Sequence, residues 1–217
     1  NLLRVGGPAT TQKFDVTNDA FVNGDVKGNT FTVGKTLTVP ASATVSGASY
    51  GKLVQAPVSV TPPCACAPGE ILPIAAWVTA AKTSNDNAKI GLSAALFTQA
   101  TQPARLDLPC GRYYLDAITA KGPLAIIAHG KVALFIAGDV TSSNFLEISL
   151  DPTAELDIVI GGTIVSSQTL KLGSANYPAL CRTYAGGSAD LWLSATFILG
   201  ANLYAANAAV TWTSKSD

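Results

Sequence analysis

Short runs in which apolar and polar residues alternate recur along this chain and end at Gly, Asn or Asp. FDVTND, AFVNGDV, TFTVG, TLTVP and ATVSG fill the first fifty positions, and LFIAGDV, IVIGGTI and TYAGGS return after residue 110. Alternation with period two, broken by turn residues, predicts β-strands. The closing glycines of the later runs, Gly138, Gly162 and Gly187, fall 24 and 25 residues apart. That interval is about one coil of a parallel β-helix made of three short strands and three turns. An immunoglobulin-like sandwich also has short strands, but it predicts no return of apolar residues and glycine at a fixed interval. The expected fold is all-β: a right-handed parallel β-helix, or solenoid, with one inserted α-helix packed on its flank or end.

The helix is expected inside a segment of different character. Pro57, Pro62, Pro63 and Pro68 mark a linker or strapped loop. Beyond it, Ile71, Ile74, Ala75, Val78 and Ala81 stand at helical spacing, with Glu70 in the first turn and Lys82 near the end, each on the side that suits the helix dipole. The spacing predicts a helix over residues 70–83, Pro73 being tolerated in its first turn. Ile74, Trp77 and Val78 would pack it on the solenoid as a cap or buttress. The organisation read from this is a first solenoid part (1–55), a Pro/Cys-rich loop with the helix (56–109) and a second solenoid part (110–217), together one continuous structural domain. At ~22–25 residues per coil, about seven coils are expected.

Charge narrows the function. Charged residues make up 13% of the 217, with 14 basic and 14 acidic side chains and no basic run. The electrostatic footprint of a nucleic-acid binder is missing. No apolar run approaches the ~20 residues of a membrane-spanning helix. Methionine is absent, position 1 included, so a processed product or a piece of something longer is expected. Four cysteines in a chain rich in Ser, Thr and Asn suit an oxidising compartment, extracellular or at the cell surface, after export. Cys64 and Cys66 are too close for an easy mutual bridge, so pairing across the insertion to Cys110 and Cys181 is expected. Zinc knuckles would need other spacings, and no metal site or cofactor is expected.

Candidate chemistry is sparse. His129 is the single histidine, set at a turn, and no Gly-x-Ser-x-Gly elbow accompanies it. Asp139, Asp151, Asp157 and Asp190 stand singly beside Gly, Pro or apolar residues, where Asp ends strands and shapes turns; stacking of coils is the one route to a carboxylate cluster. Asn85, Asp86 and Asn87 suggest calcium, but without a distal Glu an Asx turn ending the helix is the better account. Thr-x-Thr pairs in TFTVGKTLTV and VTWTSK resemble the rows of ice-binding solenoids, although Thr is also a common strand residue. PCGRYYL (109–115) reads as the re-entry of the chain into the solenoid, with Arg112 directed at a strand-end carbonyl or Asp116.

The succession CACAPGEILPIAAWVTAAKTSNDNAKIGL, RLDLPCGRYYLDAI, KVALFIAGDV, LDPTAELDIVIGGTI and GANLYAANAAV resembles an uncharacterised family of exported bacterial β-helix domains. These occur in large surface or lipoprotein-like chains and are loosely similar to polymer-forming, bactofilin-like solenoids. The resemblance covers roughly residues 60–210. Similar proteins often carry an acidic residue after each Cys of the first pair, where this chain has Ala65 and Ala67, and the resemblance brings no catalytic residues with it. The expected role is a non-enzymatic exported structural protein: a surface building block, adhesive module or filament subunit that self-associates through solenoid ends or edges, with Trp212 on the last strand as an assembly contact. The alternatives are a ligand-binding surface for a cell-surface glycan or ice, and a carbohydrate-active enzyme.

Overall fold

The computed structural model describes residues 3–60, 69, 71–193 and 197–212. The chain is a parallel β-solenoid of about nine turns with one α-helix among the described residues. It divides into two compact units, residues 1–70 and 71–214, rather than one continuous domain.

The first unit is built from β1 (Leu3–Val5), β2 (Ala9–Val16), β3 (Ala20–Val22), β4 (Val26–Val39) and β5 (Val45–Gln55). Its pairs are parallel and repeat at 17 residues: Leu3 lies beside Ala20, Ala20 beside Leu37, and Ala9 beside Val26. This coil is shorter than the 22–25 residues expected, and more turns therefore fit the chain. Val16, Ala20, Val22, Val26, Phe31 and Leu37 point inward and are buried together. β5 pairs only with β4, and its Tyr50 is exposed.

The second unit opens with α1 (Ile74–Thr83). The helix starts four residues later than the spacing predicted because Pro73 takes the N-cap position, where its missing N–H costs no hydrogen bond. Strand β6 (Ala104–Leu108) follows, so the solenoid resumes inside the segment read as an insertion. Complete coils come next: β7 (Gly111–Leu115), β8 (Ile118–Ala120) and β9 (Leu124–Ala128); β10 (Lys131–Ile136), β11 (Val140–Ser142) and β12 (Leu146–Leu150); β13 (Glu155–Ile160), β14 (Ile164–Ser166) and β15 (Leu170–Gly173); β16 (Cys181–Ala185), β17 (Leu191–Leu193) and β18 (Phe197–Gly200). β19 (Asn202–Ala205) and β20 (Val210–Trp212) begin one more. Three parallel sheets result, in the orders β7-β10-β13-β16-β19, β8-β11-β14-β17-β20 and β6-β9-β12-β15-β18.

The glycine period is physical stacking. Gly162 N–H donates to the Gly138 carbonyl and Gly187 N–H to that of Gly162, each at 3.2 Å. A Cβ on Gly162 would lie 2.7 Å from the Gly138 carbonyl carbon and one on Gly187 2.5 Å from the Gly162 oxygen, so these corners exclude side chains. The neighbouring aspartate ties coils together: Asp139 Oδ1 accepts from Thr163 N–H at 2.9 Å, and in the first unit Asp25 Oδ1 accepts from Thr44 N–H at 2.8 Å. The Thr44 bonds hold the Asp25 carboxyl below its usual range.

α1 lies along the flank of the first of those sheets and does not cap an end. Ile74, Val78 and Ala81 bury themselves against Tyr114, Phe135 and Val159. The cap is a separate segment, in which Leu92, Phe97 and Ala100 cover the start of the core. That segment also closes strand edges. Asp86 N–H donates to the Arg112 carbonyl, and Asp86 Oδ2 accepts from Arg112 N–H. The buried Asn87 amide pairs with both backbone groups of Tyr114, at 2.7 and 2.9 Å. Asn85 returns to cap α1 by donating to the Ala81 carbonyl. The Asn-Asp-Asn run thus terminates a helix and a sheet.

Candidate functional site

Parallel register turns sequence positions on successive coils into rows. On the outer face of β7, β10, β13, β16 and β19, Tyr114, Phe135, Val159, Tyr184 and Tyr204 form one row. Arg112, Ala133, Asp157, Arg182 and Asn202 form the row beside it. α1 covers the apolar end of the first row. Trp77, half-buried, meets Tyr184 edge-on with centroids 5.9 Å apart at 84°, a favourable aromatic geometry. Tyr204 follows at 6.3 Å from Tyr184 and accepts the Leu72 N–H at 3.1 Å through its hydroxyl.

Between helix and sheet this leaves a groove of ≈ 330 Å³. Ala133, Phe135 and Val159 form its floor, Trp77 and Ala80 the helix wall, and Arg112, Asp157 and Tyr184 complete the lining. The opening exists because Ala80 and Ala133 are small. Arg182 holds Asp157 with two bonds, Nε to Oδ1 at 2.5 Å and Nη2 to Oδ2 at 3.1 Å, and Glu155 joins Lys131 at 3.3 Å. Arg112 does not reach a strand-end carbonyl or Asp116 with its side chain. Its guanidinium stacks over Phe135, 5.4 Å from the ring centroid, and no carboxylate among the described residues is within ion-pair distance of it. The nearest acid that acts on it, Asp86, is already bound to Lys89 at 2.8 Å.

A second charged group decorates the sheet of β6, β9, β12 and β15. His129 stands between two carboxylates, Nδ1 2.6 Å from Asp151 Oδ2 and Nε2 2.6 Å from Asp107 Oδ1. Arg105 grips Asp107, and Lys171 and Ser149 hold Glu147. Hydrogen bonds to Asp107 and then Asp151 raise the His129 pKa, because only the imidazolium donates from both nitrogens. Arg105 first, then His129, bring the Asp107 carboxyl down to about 2. These contacts span successive coils and act as ties. Among the described residues no group of three or more His, Cys, Asp or Glu is placed to hold a metal ion.

The titration has a definite sign. The raised His129 pKa gives stability that is complete below the unfolded value of ~6.5 and is lost as pH rises through the folded value. The lowered Asp107 pKa gives stability present above ~3.9 and lost as pH falls toward the folded value. Thermal midpoints should therefore be highest between about pH 4 and 6.5, and His129→Gln should flatten the alkaline limb. An unchanged alkaline slope in that variant would show the ties to be inert.

The other acids singled out from sequence do not converge. Asp139 tethers a corner, Asp151 lies beside His129, and Asp157 faces the groove on a different sheet. Asp190 contributes its backbone carbonyl to the Thr163 hydroxyl. The threonines do not form the rows an ice-binding face needs either. Thr32 lies between Asp15 and Ser49, Thr36 beside Lys52, and Thr38 between Phe21 and Val54. Thr211 stacks on Trp192.

The cysteine expectation needs correction. Cys110 and Cys181 are free thiols, the first exposed and the second buried; Cys64 and Cys66 lie outside the described residues. Cys181 faces the core, and burial pushes its pKa up to about 12, so a loop outside the coil cannot reach its sulfur. Register sets Cys110 three strands from Cys181, roughly 14 Å at the usual strand spacing, beyond the ~7 Å limit for a bridge. Alkylation of native protein followed by peptide mass mapping should label Cys110 and spare Cys181 until the chain is unfolded. Recovery of Cys181 in a disulfide would contradict this placement. Trp212 lies on β20; its side chain is outside what the structure describes.

Comparison of the chain with protein-family models, with curated proteins and with solved structures finds no match.

Proposed function

We propose that the protein is a non-enzymatic structural module, exported to the cell surface or beyond, that self-associates through open coil edges. The observation that carries this reading is Val210. Ile118, Val140 and Ile164 form one inward column across β8, β11 and β14 and are at most 1% exposed. Leu191 and Val210 extend the inward positions onto β17 and β20, yet Val210 is 44% exposed. A core position open to solvent is where another coil adds favourably, because it gains both apolar burial and strand hydrogen bonds. Among the described strands, β18, β19 and β20 have no partner on their outer side.

The opposite end of this unit is held by Asp86, Asn87 and the Phe97–Ala100 cap, so its open end alone supports pairing of two copies, not extension. The first unit supplies a second edge in β5. A chain with two such edges can build filaments. The low charge of the surface leaves little repulsion to oppose either contact, and the resemblance to polymer-forming solenoids agrees with this role. The non-enzymatic part of the reading is supported by the use of the carboxylates: Asp139 ties a corner, Asp157 and Glu147 pair with Arg182 and Lys171, and Asp107 and Asp151 flank His129.

Light scattering and negative-stain microscopy of the 217-residue chain should show concentration-dependent assemblies. Val210→Lys and Leu53→Lys should each cut filaments down to pairs, and the double variant should be monomeric. A wild-type chain that stays monomeric at high concentration would overturn the proposal.

A further inference from the structure

We infer that the groove between α1 and the outer sheet binds a saccharide that carries a carboxylate. The inference is independent of the assembly proposed above, since it uses a flank and not a coil edge. Three features of the groove point to the same ligand. Its lining presents Trp77 and Tyr184, amphipathic rings able to pack on the C–H face of a sugar while their polar atoms stay near water. Its ends are polar, with Arg112 on β7 and the Asp157–Arg182 pair beginning on β13, separated by Ala133 on β10. At the usual strand spacing those ends are roughly 10 Å apart, so a ring seated over Ala133 lies between them.

The charges are not equivalent. Asp157 and Arg182 neutralise each other and keep lone pairs and N–H groups for hydroxyls. Arg112 is a cation without an acid partner among the described residues, held flat on Phe135. Stacking fixes the guanidinium plane and leaves its edge, the geometry that grips a carboxylate with two parallel bonds. Lys131, Glu155, Asp157, Arg182 and Arg112 together leave one positive charge on this strip, which favours an acidic sugar over a neutral one. The volume is at the small end of the ~300–1,000 Å³ range of ligand pockets, in keeping with a short stretch of saccharide.

The test is isothermal titration of the full chain with trisaccharides of galacturonate, glucuronate and mannuronate. Galactotriose serves as the neutral ring control and triglutamate as the charge control. At least one uronate should bind, with galactotriose and triglutamate at least tenfold weaker. Arg112→Gln should weaken the uronate at least tenfold and leave galactotriose unchanged. Ala133→Trp, which fills the floor, should abolish binding, and Ala80→Trp fills the same space from the helix should the first variant lower the melting temperature. Failure of all three uronates at millimolar concentration would overturn the inference. So would equal binding of galactotriose or triglutamate, or uronate binding that survives Arg112→Gln and both filling variants.

Discussion

Asn87→Ala is expected to destabilise the second unit by about 2–4 kcal/mol, far more than its lone amide suggests from sequence. Tyr114 lies on β7, the first strand of its sheet, with no strand beyond it. The buried Asn87 side chain takes the place of that strand by donating to the Tyr114 carbonyl and accepting from its N–H. Alanine removes both partners at once and leaves two orphaned backbone groups under the cap, each costing about 1–3 kcal/mol. Asn87→Asp should also destabilise, since it keeps the acceptor but turns a second acceptor toward a carbonyl. Urea unfolding measures the change through the shift in midpoint. A loss below about 0.5 kcal/mol would mean that water substitutes for the amide at that edge.

Ile74→Ala is expected to cost a similar ~2–4 kcal/mol, the range for truncating a well-packed aliphatic side chain, and to release α1 from the sheet. Ile74 is buried beneath Gly186, where a Cβ would approach Ile74 Cγ2 to 2.8 Å. Helix and strand meet there with no room between them. Gly186→Val should therefore act in the same direction by pushing the helix away. Trp77→Ala should cost less than either, about 1–2 kcal/mol, because the ring is only half-buried and spends one face on Tyr184. Trypsin cleavage after the exposed Lys82 reports the undocking: it should accelerate in Ile74→Ala and remain slow in the parent. Equal cleavage in both would place the anchoring of α1 elsewhere.

What could be read beforehand depended on whether one stretch of chain held the whole signal. The longer coil was legible because Gly138, Gly162 and Gly187 stack directly, and stacked corners tolerate no Cβ. The helix was legible because Ile74, Val78 and Ala81 bury one stripe, and only its start moved, from 70 to 74, where Pro73 caps it. The 17-residue coil of the first unit was hidden. No repeated glycine marks it, and Leu3, Ala20 and Leu37 share a column without sharing a motif. The groove was out of reach for a related reason. Its shape comes from two alanines, which carry no chemical signal, and its chemistry from Arg112, Asp157 and Arg182, brought together only by register. Cys181 misled in the opposite way: it drew attention as a thiol, whereas its alternation with Thr183 and Ala185 marks it as core.

The aspartate corners have a consequence for how such a chain changes in length. Asp25 and Asp139 each bond to a backbone N–H one coil ahead, and each corner glycine rests on the one before it. The joint between any two coils is therefore assembled from the same few parts. Loss or duplication of one whole coil re-forms that joint, whereas a change of two or three residues inside a strand turns inward residues outward for the rest of its coil. Related chains should accordingly differ in height by whole steps of ~4.8 Å, gained or lost in blocks of about 17 residues in the first unit and about 24 in the second, while the girth of each unit stays constant.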